Sequence, residues 1–312
     1  MTSICIVGAG VVGSATGKGL ARHGHDVSFV DINPERVKAL NAQGFTAADT
    51  IHLGDEPTIV FLTLPTPNDG YRWDLGPIVA GVRAVGEALR ASRGFHTVVV
   101  RSTVPPGTCD GLVRPVLEEM SGSAVGDGFA LASNPEFLRA RCAAEDFLHP
   151  RVTVVGARSP RTVERLAELL QPFGGEQYRY DDPTVSELIK CTHNLFNAAK
   201  ISFWNELWQV TQALGLEVGT VASVVARSAE ASYNPGYGIS GGNPYGGACL
   251  PKDTKGFLGF AGQLGLDLPL AAAVDKVNER MQELSRSAIR AGRADFMVEF
   301  GLREAMEKVT VG

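Results

Sequence analysis

Positive charge is in short supply in this chain. Its 29 lysines and arginines are outnumbered by 34 aspartates and glutamates, for a net charge of −5. That balance removes any electrostatic reason to expect nucleic acid or an anionic membrane as a partner. No apolar run approaches the roughly 18 residues that a bilayer-spanning helix needs. Metal-ligand spacing is missing as well. The six histidines are scattered, and the five cysteines (Cys5, Cys109, Cys142, Cys191 and Cys249) form no CxxC pair. Neither a disulfide framework nor a zinc site is expected, no metal is assigned, and the thiols should be reduced. The chain opens "MTSICIVGAG", with no basic segment and no cleavage site ahead of its first apolar run, which gives the cytoplasm as the expected compartment. Internal repeats and low-complexity linkers are also lacking.

What is present reads as an ordinary globular protein of about two domains: 312 residues, 44% hydrophobic and 20% charged. As far as Asp182, the short runs "SICIVG", "DVSFVD", "TIVFLTL", "HTVVVRS", "GFALAS", "RVTVVG" and "EQYRY" alternate with helical stretches such as "SPRTVERLAELLQPFGG". Most of the runs are continuously apolar, the pattern of strands buried on both faces of a parallel sheet. Residues 1–182 are therefore expected to form a doubly wound, Rossmann-type α/β domain. The texture then changes. "DDPTVSELIKCTHNLFNAAKISFWNELWQVTQALG" offers Asp182 as an N-cap, Pro183 at the first helical position and Gly215 as a stop. It predicts a helix of about 48 Å, apolar around much of its circumference and so buried on several sides. Further helices are expected at 217–229, 254–265 and 269–290. Residues 183–290 thus read as an all-helical second domain, leaving 291–312 as a tail.

Within "ICIVGAGVVGSATG", Gly8, Gly10 and Gly13 form G-x-G-x-x-G directly after a strand and at the opening of a helix. That context suits a tight turn, close backbone approach to a pyrophosphate, and phosphates held at the helix N-terminus. "VSFVD" ends in Asp31, where a carboxylate can bind both ribose hydroxyls and would repel a 2′-phosphate, so NAD is favoured over NADP. Lys190 and Asn194 lie four residues apart and share one face of the long helix. A lone lysine on a largely apolar helix calls for a partner, and Asp253 is a candidate. Glu136 in "SNPEFLR" and Thr103 in "RSTVPPGT" each follow a strand, at the sheet edge where such folds bind ligands. The blander alternatives are a solvated lysine and asparagine, and turn-capping residues at Glu136 and Thr103. His193 lies between Lys190 and Asn194 in sequence but on another side of the helix. Cys249, in "YGGACLPKDTKGF", is by itself a core thiol, a ligand or a nucleophile on a tight turn.

Taken together, "GAGVVG", "DINPERVKALN", "LTLPTPNDGYRWDL", "RSTVPPGT", "NPEFLR", "ELIKCTHNLFNAAKISFWNE", "YGGACLPKDT" and "VNERM" resemble the UDP-glucose/GDP-mannose dehydrogenase family, in the family's order and over nearly all of residues 3 to 281. The resemblance implies oxidation of a sugar C6 alcohol to a carboxylate in two NAD-dependent steps. It implies that Cys249 is a nucleophile passing through a thiohemiacetal and a thioester. Lys190 and Asn194 would stabilise the oxyanions. Asp253 would orient Lys190 and help position a proton-accepting water, and Glu136 and Thr103 would hold or activate the hydrolytic water. The implied cofactor set is Gly8, Gly10, Val11, Val12, Gly13, Asp31, Arg36, Thr66, Thr103 and Lys252. The implied substrate set is Glu136, Phe137, Leu138, Lys190, Asn194, Tyr245, Gly246 and Gly247, and the implied assembly is a homodimer through the long helix.

Three departures from the family pattern stand out. Ala140 replaces a second glutamate, Cys191 replaces a common aromatic or apolar residue, and the sequence carries no third α/β domain to grip the nucleotide diphosphate. The substrate is then either a nucleotide sugar, with a partner subunit supplying that grip, or a smaller sugar derivative. Two other readings remain: a two-electron hydroxyacid-type dehydrogenase, and a non-catalytic truncated homologue that binds a partner.

Overall fold

The computed structural model describes residues 1–239, 241 and 244–290. The tail expected at 291–312 lies outside the described residues. The chain divides into two compact units, Met1–Leu195 and a second beginning at Phe196.

The first unit is built on eight strands: β1 (Ser3–Val7), β2 (Asp26–Val30), β3 (Thr46–Ala48), β4 (Thr58–Leu62), β7 (His96–Val100), β8 (Phe129–Ser133), β9 (Val152–Gly156) and β10 (Glu176–Tyr180). A separate hairpin pairs β5 (Asn68–Asp69) with β6 (Arg72–Trp73). The sheet order is β10-β9-β8-β7-β4-β1-β2-β3. From β8 to β3 neighbouring strands run parallel, whereas β9 meets β8 antiparallel at Ser133–Gly156 and β10 runs parallel to β9. The expected doubly wound sheet is present, with its last two strands reversed. The continuous apolar runs have the expected cause: every residue of β7 and β8 is buried, and a core lies on each face, one around Ile6, Phe29 and Phe61 and the other around Val60, Val98 and Phe129. The short β3, "TAA", gave no such signal because it sits at the sheet margin and buries little.

Helices α1 (Val11–Arg22), α2 (Pro34–Ala42), α3 (Gly76–Ala91), α4 (Arg114–Ser121), α5 (Ala143–Leu148) and α6 (Pro160–Leu170) connect the strands, and a π-helical turn at Cys109–Val113 leads into α4. Strand order reverses between β1 and β4, and the crevice at the carboxyl ends of these strands is where open α/β sheets bind ligands.

Helix α7 (Pro183–Ala213) has 31 residues and starts as the sequence indicated. The Thr184 N–H donates to Asp182 Oδ1 at 2.8 Å, and Gly215, at φ +69°, follows its end. The boundary between the two units falls inside this helix. Burial on several sides does not hold within one chain, because Leu188, Leu195, Phe196, Ile201 and Trp208 are exposed. The second unit adds α8 (Val218–Ser228), α9 (Glu230–Tyr233), α10 (Leu250–Gln263) and α11 (Pro269–Arg290). A small core of Val210, Ala261 and Leu268 packs there. The carboxylate of Glu206 accepts the N–H groups of Leu270 at 2.5 Å and Ala271 at 3.0 Å, capping the otherwise unpaired start of α11. Lys255 ties α10 to α11 through Asp275 at 2.8 Å and Glu279 at 2.7 Å. Helix α10 begins four residues earlier than the hydrophobic spacing indicated. Pro251 in its first turn supplies a φ already set for a helix, and Cys249 is thereby left at the N-cap.

Candidate active site

The glycine turn is shaped by close packing. Gly8 has φ +97°, and a Cβ there would lie 2.6 Å from the Thr63 carbonyl oxygen. A Cβ on Gly13 would lie 1.9 Å from the Gly8 carbonyl oxygen, so α1 meets β1 at a distance only glycine permits. Thr63 Oγ1 donates to that same carbonyl at 2.5 Å, locking the turn to the end of β4. Around Gly10 a Cβ would meet nothing within 4 Å. As N-cap of α1, Gly10 offers no side chain to the first-turn N–H groups, which leaves them free for an anion. Val11 is exposed and Val12 half-buried in the same turn. Asp31 closes the crevice from β2. Its carboxylate accepts Ala9 N–H at 2.7 Å and Asn33 N–H at 2.8 Å, and Arg36 lies 3.2 Å away.

At the carboxyl ends of β4 and β7, Thr66 Oγ1 donates to the Thr103 carbonyl at 2.7 Å, so two of the expected residues are joined. Lys190, on the third turn of α7, is buried and has its partner. Within this unit the carboxylate beside it is Glu136, at 3.1 Å; Asp253, the partner expected from the sequence, belongs to the second unit. The other Glu136 oxygen accepts the Leu138 N–H at 2.5 Å. The Phe137 ring completes the cluster, with the Lys190 ammonium 5.3 Å from its centroid and the His193 ring edge-on at 5.0 Å. Burial first, and the Lys190 charge second, pull His193 below the usual histidine range. Asn194 is exposed one turn beyond Lys190.

The second unit holds the remaining expected residues. Cys249 is the exposed one of the five cysteines. Burial raises the thiols of Cys5, to about 11, and of Cys109, which suits those two to packing rather than chemistry. Asp253 donates its N–H to the Cys249 carbonyl at 2.8 Å, and its carboxylate pairs with Lys252 at 2.7 Å. Gly247 has φ +78°, Gly246 is exposed, and Tyr245 is half-buried. Among the described residues no hydrogen bond uses the buried Tyr245 hydroxyl, and no group of histidine, cysteine and carboxylate could hold a metal.

Sequence spacing missed three supports. Buried Arg101, drawn down to about 10 by desolvation, donates to Asn134 Oδ1 at 2.5 Å, while Asn134 Nδ2 donates to Val154 O at 2.7 Å. These bonds fix the ends of the strands that precede Thr103 and Glu136. Arg139 grips Asp146 at 2.7 Å. Glu187 accepts the N–H groups of Gly107 at 2.5 Å and Cys109 at 2.8 Å. Its position three residues before Lys190 was the signal available for it.

The sequence pattern of the UDP-glucose/GDP-mannose dehydrogenase family's NAD binding domain matches residues 2–50 and 45–174, and that of the family's central domain matches residues 184–280. The chain belongs to this family. The UDP-glucose 6-dehydrogenase AglM of Haloferax volcanii is 34% identical over 91% of this chain and 72% of its own length. A GDP-mannose 6-dehydrogenase of Pseudomonas aeruginosa is 30% identical over 88% of this chain and 68% of its own. The crystal structure of a ternary complex of GDP-mannose dehydrogenase from Pseudomonas aeruginosa superposes with a TM-score of 0.85 at 29% identity, covering 93% of this chain and 71% of that one. The cofactor of this dehydrogenase-family chain is NAD, and the cradle fits it: an open Gly10, unpaired first-turn amides of α1 and a carboxylate at the end of β2. Among the described residues no helix is long and apolar enough to cross a membrane.

Proposed function

We propose that the chain is an NAD-dependent oxidoreductase that converts the C6 alcohol of a nucleotide sugar to the carboxylate, with Cys249 as covalent nucleophile. The observation that carries this reading is the buried Lys190–Glu136 pair at 3.1 Å, set at the carboxyl edge of an NAD-binding sheet. What separates this reading from a two-electron dehydrogenase is Cys249, exposed at the N-cap of α10. NAD, when bound, takes up one hydride in each of the two oxidations. Gly8, Gly10 and Gly13 admit its pyrophosphate and Asp31 its ribose, with Val11, Val12, Arg36, Thr66 and Lys252 completing the contacts.

The chain's own groups do the rest. The Cys249 sulfur adds to the C6 aldehyde. At the N-terminus of a 14-residue helix, it lies at the positive end of the helix dipole, which favours negative charge on sulfur or on the neighbouring oxygen. Lys190 and Asn194 donate to the oxygen that becomes negative; one such donor is typically worth about 10²–10³ in rate. The thioester then takes water, its C–S bond breaks, and the Cys249 thiol and a carboxylate leave. Glu136 and Thr103 hold that water, and the Glu136 carboxylate is placed to receive its proton. Phe137, Leu138, Tyr245, Gly246 and Gly247 shape the sugar site, and Asp253 orients charged groups around it. The exposed apolar circumference of α7 supports a homodimer through that helix.

The test is to incubate the purified protein with NAD and either UDP-glucose or GDP-mannose and to count NADH per sugar consumed. Two NADH, abolished by Cys249→Ala, are expected. One NADH, indifferent to that substitution, would sink the proposal in favour of a two-electron dehydrogenase. Tight NAD binding with no turnover on any nucleotide sugar would point instead to a non-catalytic homologue.

A further inference from the structure

The proposed site leaves the buried carboxylate of Glu187 unused. Glu187 is 2% exposed, on the second turn of α7, and makes no ion pair among the described residues. Its carboxylate instead receives two backbone amides, Gly107 N–H at 2.5 Å and Cys109 N–H at 2.8 Å. These amides lie between Thr103 and the start of α4, where the chain turns through Gly107 at φ +90°. Alternate N–H groups converge on one anion there because the left-handed residue points them the same way.

We infer that Glu187 is a positioning residue: it pins the loop of residues 103–109 to α7 and so sets the spacing between Thr103 and the Lys190–Glu136 pair. Three observations lead to this. First, residues 187, 190, 191 and 194 fall on one side of an α-helix, so the face that grips the loop also carries the two proposed oxyanion donors. Second, Cys191 on that face makes its own tie, its thiol donating to the Val104 carbonyl at 3.3 Å. Third, Thr66 holds the Thr103 carbonyl from the cofactor side at 2.7 Å. The loop is thus fastened at Thr103, Val104, Gly107 and Cys109, and of these fasteners Glu187 alone carries charge. Carboxylate acceptors make hydrogen bonds roughly twice as strong as neutral ones, and a displacement of about 1 Å at a reacting group can cost about 10²-fold in rate.

The inference rests on the proposed reaction for its consequence, but the clamp itself can be read without turnover. Glu187→Gln keeps the shape, loses one acceptor and turns an NH₂ towards an N–H. In the full chain bound to NAD, hydrogen exchange over residues 103–113 should accelerate at least tenfold, while the Gly8–Gly13 turn keeps its protection. With a nucleotide sugar, kcat should fall about 10- to 100-fold with KM and NAD affinity within twofold. Gly107→Ala provides the second route. Its Cβ would meet nothing within 4 Å, but the backbone conformation is strained, so it shifts the loop without touching α7 and covers the case in which the Glu187 variant does not fold. Gly107→Ala should reproduce the kcat loss, and the two substitutions combined should cost less than the product of their separate effects. Unchanged exchange over 103–113, or a kcat loss in Glu187→Gln that Gly107→Ala neither shares nor couples to, overturns the inference. A wild-type chain that turns over no nucleotide sugar would instead defeat the functional proposal, and the exchange result would still decide the clamp.

Discussion

The chemistry of this chain turns on a few desolvated charges whose partners can be named. Lys190 and Glu136 have side chains 6% and 13% exposed, so each is tolerable only because the other is there. Lys190→Met leaves the Glu136 carboxylate uncompensated and should cost about 3–5 kcal/mol in denaturant unfolding. Adding Glu136→Gln to it should return much of that loss, and a double-mutant cycle with no coupling would show that the pair does not form. Asp31 sits in a different balance. Its oxygens already accept the Ala9 and Asn33 amides at 2.7 and 2.8 Å, which fixes the carboxylate at the end of β2. Asp31→Ala should weaken NAD binding about 10- to 100-fold, the worth of one charge-assisted bond, and narrow the preference for NAD over NADP. Titration calorimetry with both cofactors checks it, and an unchanged NAD affinity would remove Asp31 from the cofactor site.

At the scale of elements, what was legible in the sequence follows from how much each segment buries. Strands such as "HTVVV" and "FALAS" announce themselves because every residue is buried. "TAA" at the margin does not, and the reversal of β9 and β10 left no trace because a continuous apolar run does not encode direction. The candidate residues were legible one by one through spacing, whereas the partners of Lys190 and of the 103–109 loop were not. Those partners lie 54 and 78 to 80 residues away, and only the sheet edge brings them together. The loop that carries Glu136 has its own fastening. Arg139 donates to Asp146 through side chain and backbone, which pulls the Asp146 carboxyl down to about 2. A carboxylate pKa depressed in the folded state contributes stability above its unfolded value of about 4. That contribution fades as pH falls from there towards about 2. The Asp146 carboxyl carbon, followed by NMR, should therefore titrate near 2, and titration near 4 would show that the Arg139 contact does not persist in solution.

For the whole molecule, the open question is what covers α7. The sequence pattern anticipated apolar side chains around the helix, but a single chain leaves Leu195 70%, Phe196 67% and Ile201 62% exposed. These residues do not share one narrow stripe, so a flat surface would cover only part of them, but large apolar side chains left exposed together on one helix mark an interface. Each such side chain gains about 1.5–3 kcal/mol when fully removed from water, so those that a two-fold partner covers offset part of the entropy lost in pairing two chains. The proposed homodimer predicts a separation of properties. Phe196→Asp with Ile201→Asp places charge in the interface and should convert a dimer to a monomer in sedimentation equilibrium. The proposed cofactor contacts include neither Phe196 nor Ile201, so NAD affinity should change by less than about threefold. A wild-type chain that sediments as a monomer at micromolar concentration would refute the dimer. A doubly substituted chain that loses its NAD affinity together with its partner would show that the interface and the cofactor site act as one unit.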